Sequence, residues 1–232
     1  MKVAIINFSG NVGKTTVARH LLAPRIAQAE IISVESANAD EQETDALRGK
    51  DYAHLQQYML ASDNLIVDIG ASIVEDLMSL MKKFKGSHED FDTYLIPVVP
   101  DVKQQKDSAN TALQLASLGV KPQKIKIVLN RVEESDNPLK QFSPLVNFLE
   151  QQQVAQIDSA AHINENEIFQ RVKHDGRSIT DLATDPTDYK ALIAQARYLE
   201  EKMVLADKLA TKRLALGVLP ELDACFQALK IL

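Results

Sequence analysis

Residues 3–16 read VAIINFSGNVGKTT, and this stretch decides the fold. Its first four residues are apolar and mostly β-branched, which is typical of a buried strand. A loop containing Gly10 and Gly13 follows, and the residues from Lys14 to Leu22 have the composition of a helix. A strand, a glycine-containing loop and a helix in this order predict a phosphate-binding loop, where main-chain N–H groups and the helix dipole hold a phosphate chain.

Each residue of the predicted loop has a chemical reason to be there. Lys14 is expected to reach the terminal phosphates, the Thr15 hydroxyl to bind Mg²⁺, and Thr16 to contact the first phosphate. Phe8 occupies the position where the general pattern has its first glycine. A chance glycine-rich turn is the alternative, and the position of Gly-Lys-Thr-Thr after an apolar strand near the N-terminus disfavours it. The residues assigned to nucleotide binding are Gly10, Asn11, Val12, Gly13, Lys14, Thr15 and Thr16.

Outward from this loop, short β-branched runs alternate with longer segments of helical composition. Strands are predicted at 3–7, 30–35, 64–68, 93–99 and 124–130, and more weakly at 154–157. Helices are predicted at about 14–22, 41–60, 73–84, 105–118 and 138–152. Several strands are apolar on both faces, which favours a mainly parallel, twisted sheet buried between helices. The expected fold is a three-layer α/β fold of the P-loop NTPase kind, with ligands bound beyond the carboxyl ends of the strands.

The C-terminal part of the chain is predicted to be helical. After Pro186 a long stretch carries apolar residues at helical spacing, and Gly217 and Pro220 are expected to end it before a shorter helix at 221–232. We expect one domain over residues 1–232, with a C-terminal helical extension from about residue 187.

Composition excludes several classes of protein. The chain of 232 residues is 45% hydrophobic and 25% charged, the balance of an ordinary globular protein. It has one cysteine, Cys225, and no apolar run near the ~20 residues that span a bilayer, so we expect a cytoplasmic protein without a membrane span. The net charge of −6 disfavours a globally basic nucleic-acid binder.

The phosphate loop resembles that of the ParA/MinD group of deviant Walker A ATPases, and within it the StbB-type plasmid stability proteins. That group commonly has K-G-G-x-G-K-T-T at this loop. Gly10 and the Gly13-Lys14-Thr15-Thr16 segment match that pattern. The resemblance as a whole covers roughly the first 180 residues of the chain. Ser9 replaces the signature lysine, which in the group reaches the phosphates of a partner subunit. The resemblance implies ATP or ADP and Mg²⁺ as ligands.

Further segments resemble other parts of the group's nucleotide site. The apolar run that ends at Asp68-Ile69-Gly70 is similar to the Walker B and second switch region, so Asp68 is implied to organise the magnesium shell. An aspartate that only caps the next helix is the alternative. The pair Asn130-Arg131 follows a predicted strand and is similar to the group's Asn-Arg pair near adenine, against an alternative of simple turn chemistry.

The first switch region matches the group less well. The group usually has Asp-x-Asp after the second strand, where this chain has Glu35, Ser36 and Ala37. Glu35 fits the first acid, and Asp40 is a candidate for the second from a shifted loop. We therefore count Glu35 and Asp40 with Lys14 and Asp68 as candidate catalytic residues, with solvated loop acids as the alternative for the first two.

The resemblance implies a nucleotide-driven switch, a slow or partner-stimulated ATPase that acts in plasmid stability or partition. Its implied partners are a second copy of the chain and a plasmid DNA-binding adaptor. Basic clusters at 82–85, 121–126 and 208–213 offer direct DNA contact, although solvated helix faces are the favoured interpretation. Two other functions stay open at this point: a metabolic small-molecule kinase or ATP-dependent ligase, and a nucleotide-binding scaffold that does not hydrolyse ATP.

Overall fold

The computed structural model describes residues 1–35, 49–133, 137–174 and 176–231. Six parallel strands form one sheet in the order β2-β3-β1-β4-β5-β6. The predicted α/β fold with a parallel sheet is confirmed. The strands are β1 Lys2–Ile5, β2 Glu30–Val34, β3 Leu65–Ile69, β4 Thr93–Val98, β5 Ile125–Val132 and β6 His162–Asn164.

The helices follow the strands in chain order. Helix α1 begins at Lys14 and continues beyond Thr16 as a π-helical segment, Val17–Leu22. Short 3₁₀ turns lie at Ala71–Ile73, Ser87–Asp90, Pro122–Lys124, Pro138–Phe142 and Val172–His174. The α-helices are α1 Lys14–Thr16, α2 Gly49–Ala61, α3 Val74–Lys83, α4 Val102–Ser117, α5 Ser143–Gln152, α6 Ile168–Arg171, α7 Ile179–Ala183, α8 Tyr189–Gln195 and α9 Leu199–Leu229.

The sheet is apolar on both faces. Every residue of β3 and β4 is buried, as expected for central strands beneath helices. One core cluster joins alternate strand residues such as Ala4, Val67 and Ile96 to helices α2 to α5. Residues of the other parity, including Val3 and Ile66, are buried as well, and the segment Val17–Leu22 contacts β3. Because the strands are packed on both faces, they hold the loops at their carboxyl ends in place.

The residues group into two compact units. The first comprises Met1–Glu165 with Cys225–Leu232 and contains the sheet, and the second comprises Asn166–Ala224 and is helical. This grouping by contacts does not test whether the chain acts as one domain, so the single-domain expectation stays a prediction. Among the described residues, no helix has the length and apolar character that crossing a membrane requires.

Three predictions from the sequence were wrong. The stretch after Pro186 is not one helix, because α8 ends at Gln195 and α9 begins at Leu199. Residues 154–157 make only an isolated bridge between Gln156 and Lys126, and the sixth strand is His162–Asn164, whose three residues are too few to show a strand pattern.

Helix α9 continues through Gly217 and Pro220. Val218 and Leu222 are buried on either side of Pro220, so packing of the apolar face outweighs the helix-breaking cost of about 3 kcal/mol for proline.

Candidate functional site

The phosphate loop connects β1 to α1 and lies at the carboxyl edge of the sheet. Gly13 is left-handed, with φ of 93° and ψ of 29°, and the helix begins at the next residue. Only glycine adopts this conformation without strain, which explains its place before Lys14. Gly10, Asn11 and Thr15 are exposed, so this part of the loop is open to solvent, as an anion-binding site has to be.

Lys14 is the buried cation of the loop. Its ammonium group donates to the carbonyl oxygens of Ser9 at 3.0 Å and Asn7 at 3.4 Å. Burial lowers the pKa of Lys14, and the negative charges of Asp68 and Glu35 partly offset that effect. A bound phosphate chain would act in the same direction as these acids, because it favours the charged ammonium.

Thr15 and Asp68 form the candidate metal site. The pairing of β1 with β3 sets Asp68 beside Ile5, and the Thr15 hydroxyl donates to the Asp68 carboxylate at 2.6 Å. Both side chains offer the hard oxygen atoms that Mg²⁺ prefers. No group of three or more His, Cys, Asp or Glu residues suited to a metal exists among the described residues. Mg²⁺ commonly takes one or two protein oxygens and completes its shell with phosphate and water.

The carboxyl ends of β2 and β3 meet at Gly70. Its N–H donates to the Val34 carbonyl at 2.8 Å, and a Cβ atom at this position would lie 3.3 Å from the Glu35 side chain. Glu35 therefore lies beside the segment that follows Asp68, although its own side chain is exposed. Asp40 lies outside the described residues.

Asn130 holds the phosphate loop from the side of β5. Its side-chain N–H donates to the Val12 carbonyl at 2.8 Å, and a Cβ atom on Gly13 would lie 2.1 Å from the Asn130 Nδ2 atom. The amide is buried in this position. Arg131 is exposed, with a positive φ of 54°, where the pairing of β5 with β6 shifts register. Contact of Asn130 and Arg131 with adenine stays a prediction, whereas the contact of Asn130 with the loop was not foreseen.

Sequence reasoning also missed residues that support the loop from helix α4. Asn7 is fully buried and donates to the Pro97 carbonyl at 2.9 Å and to the Ser108 hydroxyl at 2.7 Å. Asp107 and Thr111 bind the next two residues of the loop, Ser9 and Phe8. The spacing 107, 108 and 111 places three polar side chains on one helix face, and that was the signal available in the sequence.

Comparison with known proteins places the fold. The ATP complex of a Cyanothece McdA variant matches at a TM-score of 0.51, with 18% identity, 94% coverage of this chain and 96% of that chain. MinD from Pyrococcus horikoshii, complexed with Mg-ADP, matches at 0.52, with 15% identity, 94% coverage of this chain and 95% of that chain. The Aquifex aeolicus MinC:MinD complex matches at a TM-score of 0.50, with 15% identity, 93% coverage of this chain and 95% of that chain. No protein-family model and no curated protein matches the sequence. The chain thus shares the α/β fold of these proteins.

Proposed function

We propose that this chain is an ATP-binding switch protein of the ParA/MinD type and a slow, Mg²⁺-dependent ATPase. The observation that carries the proposal is the hydrogen bond of 2.6 Å between the Thr15 hydroxyl and the Asp68 carboxylate. Thr15 follows the left-handed Gly13 and the buried Lys14 in the chain. These residues bring together loop amides, a cation and two metal-binding oxygens, which are the parts that phosphoryl-transfer sites require.

The proposed ligands follow from the site and are supported by the fold. McdA has been solved with ATP and MinD with Mg-ADP, and both share the fold of this chain. In this chain Lys14 would bind the terminal phosphates, and Thr15 and Asp68 would hold Mg²⁺, which when bound supplies positive charge against the phosphates. Asn130 and Arg131 are the proposed adenine contacts.

A conformational switch is proposed at the ends of β2 and β3. The Gly70 N–H donates to the Val34 carbonyl, so the carboxyl end of β2 and the residue that follows β3 are coupled through the main chain. A γ-phosphate that accepted from the Gly70 N–H would take this donor from the Val34 carbonyl, so Gly70 would move away from the end of β2. A partner that prefers the shifted arrangement would then bind the ATP state more tightly.

Plasmid maintenance in the cytoplasm is the proposed process, with a homodimer and a DNA-binding adaptor as the proposed assemblies. The MinC:MinD complex supports partner binding on this fold. Ser9 carries no ammonium group, so a dimer of this chain would have to form without a lysine from that position.

Turnover measurements test the proposed function. Phosphate release from ATP should be slow, should require Mg²⁺ and should be lost in Thr15→Ala, because the metal would lose one of its two protein oxygens. Lys103→Ala, which changes an exposed lysine on α4, is the matched control and should behave as the wild type. Stimulation by plasmid DNA or a DNA-binding protein supports the switch, whereas transfer of phosphate to a metabolite would establish a kinase instead. No Mg²⁺-dependent turnover under any of these conditions would refute the ATPase assignment.

A further inference from the structure

One face of helix α4 holds the residues that lead from β1 into the phosphate loop. The Phe8 N–H donates to the Thr111 hydroxyl at 3.2 Å, and the Ser9 hydroxyl donates to the Asp107 carboxylate. Together with the bond from Asn7 to Ser108, three consecutive residues of the loop entry are bound to three polar residues within two turns of one helix. The loop entry is therefore held by side chains about 100 residues away in the chain.

The hydroxyls on this helix face are themselves fixed in place. Ser108 donates to the Gln104 carbonyl and Thr111 donates to the Asp107 carbonyl, both at 2.7 Å. A Ser or Thr hydroxyl that donates to its own helix keeps its lone pairs free to accept from elsewhere. Asn7 and Phe8 supply those donors, so the bonds have a defined direction from the loop to the helix.

The same loop residues carry Lys14. Its ammonium rests on the carbonyl oxygens of Asn7 and Ser9, and the Ser9 N–H in turn donates to the Asn7 side-chain oxygen at 2.8 Å. Ser9 is 6% exposed and Lys14 9% exposed, so little water is present to compete with these bonds. A shift of the Ser9 main chain would therefore move the resting position of the Lys14 ammonium.

We propose that Asp107 is a positioning residue for the phosphate loop. Through the Ser9 hydroxyl it fixes the main chain on which Lys14 rests, and so it sets where the ammonium and the loop amides meet a phosphate chain. The proposal rests on the proposed nucleotide site, although the hold on the loop itself exists without nucleotide.

The charge of Asp107 makes the proposal testable by sign. A carboxylate near a phosphate site repels the ligand, so a purely electrostatic role predicts tighter nucleotide binding when the charge is removed. A positioning role predicts weaker binding when the hydrogen bond is lost. Asp107→Asn removes the charge but keeps an oxygen that accepts from Ser9, whereas Asp107→Ala removes both.

The experiment compares MgATP affinity in five variants with the wild type. Asp107→Ala and Ser9→Ala should each weaken binding about tenfold, as expected for loss of one charge-assisted hydrogen bond. The double variant should be no weaker than either single variant, because both remove the same contact. Asp107→Asn should stay within about threefold of the wild type. Asn110→Ala, an exposed position one turn along α4, is the control and should change nothing.

Hydrogen exchange of the nucleotide-free proteins separates this proposal from the proposed function. Amides of residues 7–14 should exchange faster in Asp107→Ala and Ser9→Ala than in the wild type. The thermal midpoint of each variant is compared with that of Asn110→Ala to show that it is folded. Wild-type affinity and loop exchange in Asp107→Ala, tighter binding in that variant, or equal loss in Asp107→Asn would each overturn the proposal. If the wild type binds no nucleotide, the proposed function fails, and the exchange data alone decide whether Asp107 holds the loop.

Discussion

Replacement of Gly13 by alanine tests how the phosphate loop is held in its shape. At φ of 93° an alanine is strained by about 1–2 kcal/mol. Its Cβ atom would also lie 2.1 Å from the Asn130 Nδ2 atom, so the amide has to move away and its bond to the Val12 carbonyl breaks. Loss of that buried hydrogen bond adds about 1–2 kcal/mol. We expect Gly13→Ala to lower the free energy of unfolding by about 2–4 kcal/mol in total.

Gly86 provides a matched control. Its φ of 92° is nearly the same as that of Gly13, but a Cβ atom there would meet no atom within 4 Å. Gly86→Ala should therefore cost only the backbone term, about 1–2 kcal/mol. The difference between the two substitutions isolates the contact with Asn130.

A double-mutant cycle measured by urea unfolding gives the decisive comparison. In an Asn130→Ala background the amide is absent, so Gly13→Ala should cost about the same as Gly86→Ala. Gly13→Ala and Gly86→Ala of equal cost in the wild-type background, or no coupling between positions 13 and 130, would refute the claim that Asn130 packs on Gly13.

Two other predictions concern buried ionisable groups. Asp68→Asn should keep MgATP affinity within about tenfold but lower Mg²⁺-dependent phosphate release, because a neutral amide is a poorer magnesium ligand, and unchanged release would exclude Asp68 from the metal site. Burial, with a smaller effect of the Arg19 charge, lowers the pKa of His20 from 6.5 to about 4. The unfolded chain therefore binds a proton below pH 6.5, whereas the folded protein accepts it only near pH 4. As the pH falls from 6.5 to 4, His20 should lower the free energy of unfolding by up to about 3 kcal/mol. Urea unfolding of the wild type and His20→Gln at pH 7 and pH 4.5 measures this; an equal pH dependence in both would contradict it.

The sequence predicted the parallel sheet because the relevant signals are local. Five strands are short β-branched runs, and four of them are largely buried, so their residue pattern and burial agree. The fifth, β2, lies at the edge of the sheet and its residues are half-buried or exposed. The loop between β1 and α1 was singled out for the same reason, since Gly13, Lys14 and Thr15 are adjacent in the chain. Where the pattern is short or is overridden by packing, as at His162–Asn164 and Pro220, prediction was wrong.

The support of the loop could not be found from local patterns. Asn7 and Ser108 are 101 residues apart, and Val12 and Asn130 are 118 apart, so only the sheet topology brings each pair together. Asn130 was singled out as a base contact, which stays a prediction, and the donation of its buried amide to the loop carbonyl of Val12 was not foreseen. The pairing of β1 with β3 places Asp68 beside the end of β1, where the Thr15 hydroxyl donates to its carboxylate. That these two side chains bind Mg²⁺ stays a prediction.

Direct nucleotide binding tests the central claim that the segment from Gly10 to Thr16 holds a phosphate chain. Calorimetric titration of the wild type with MgATP should show one site per chain, and Lys14→Ala should weaken that binding by tenfold or more, because a charged hydrogen bond is worth about 1.5–3 kcal/mol. Lys103→Ala should bind as the wild type does. No binding by the wild type, or equal affinity in Lys14→Ala, would contradict the account.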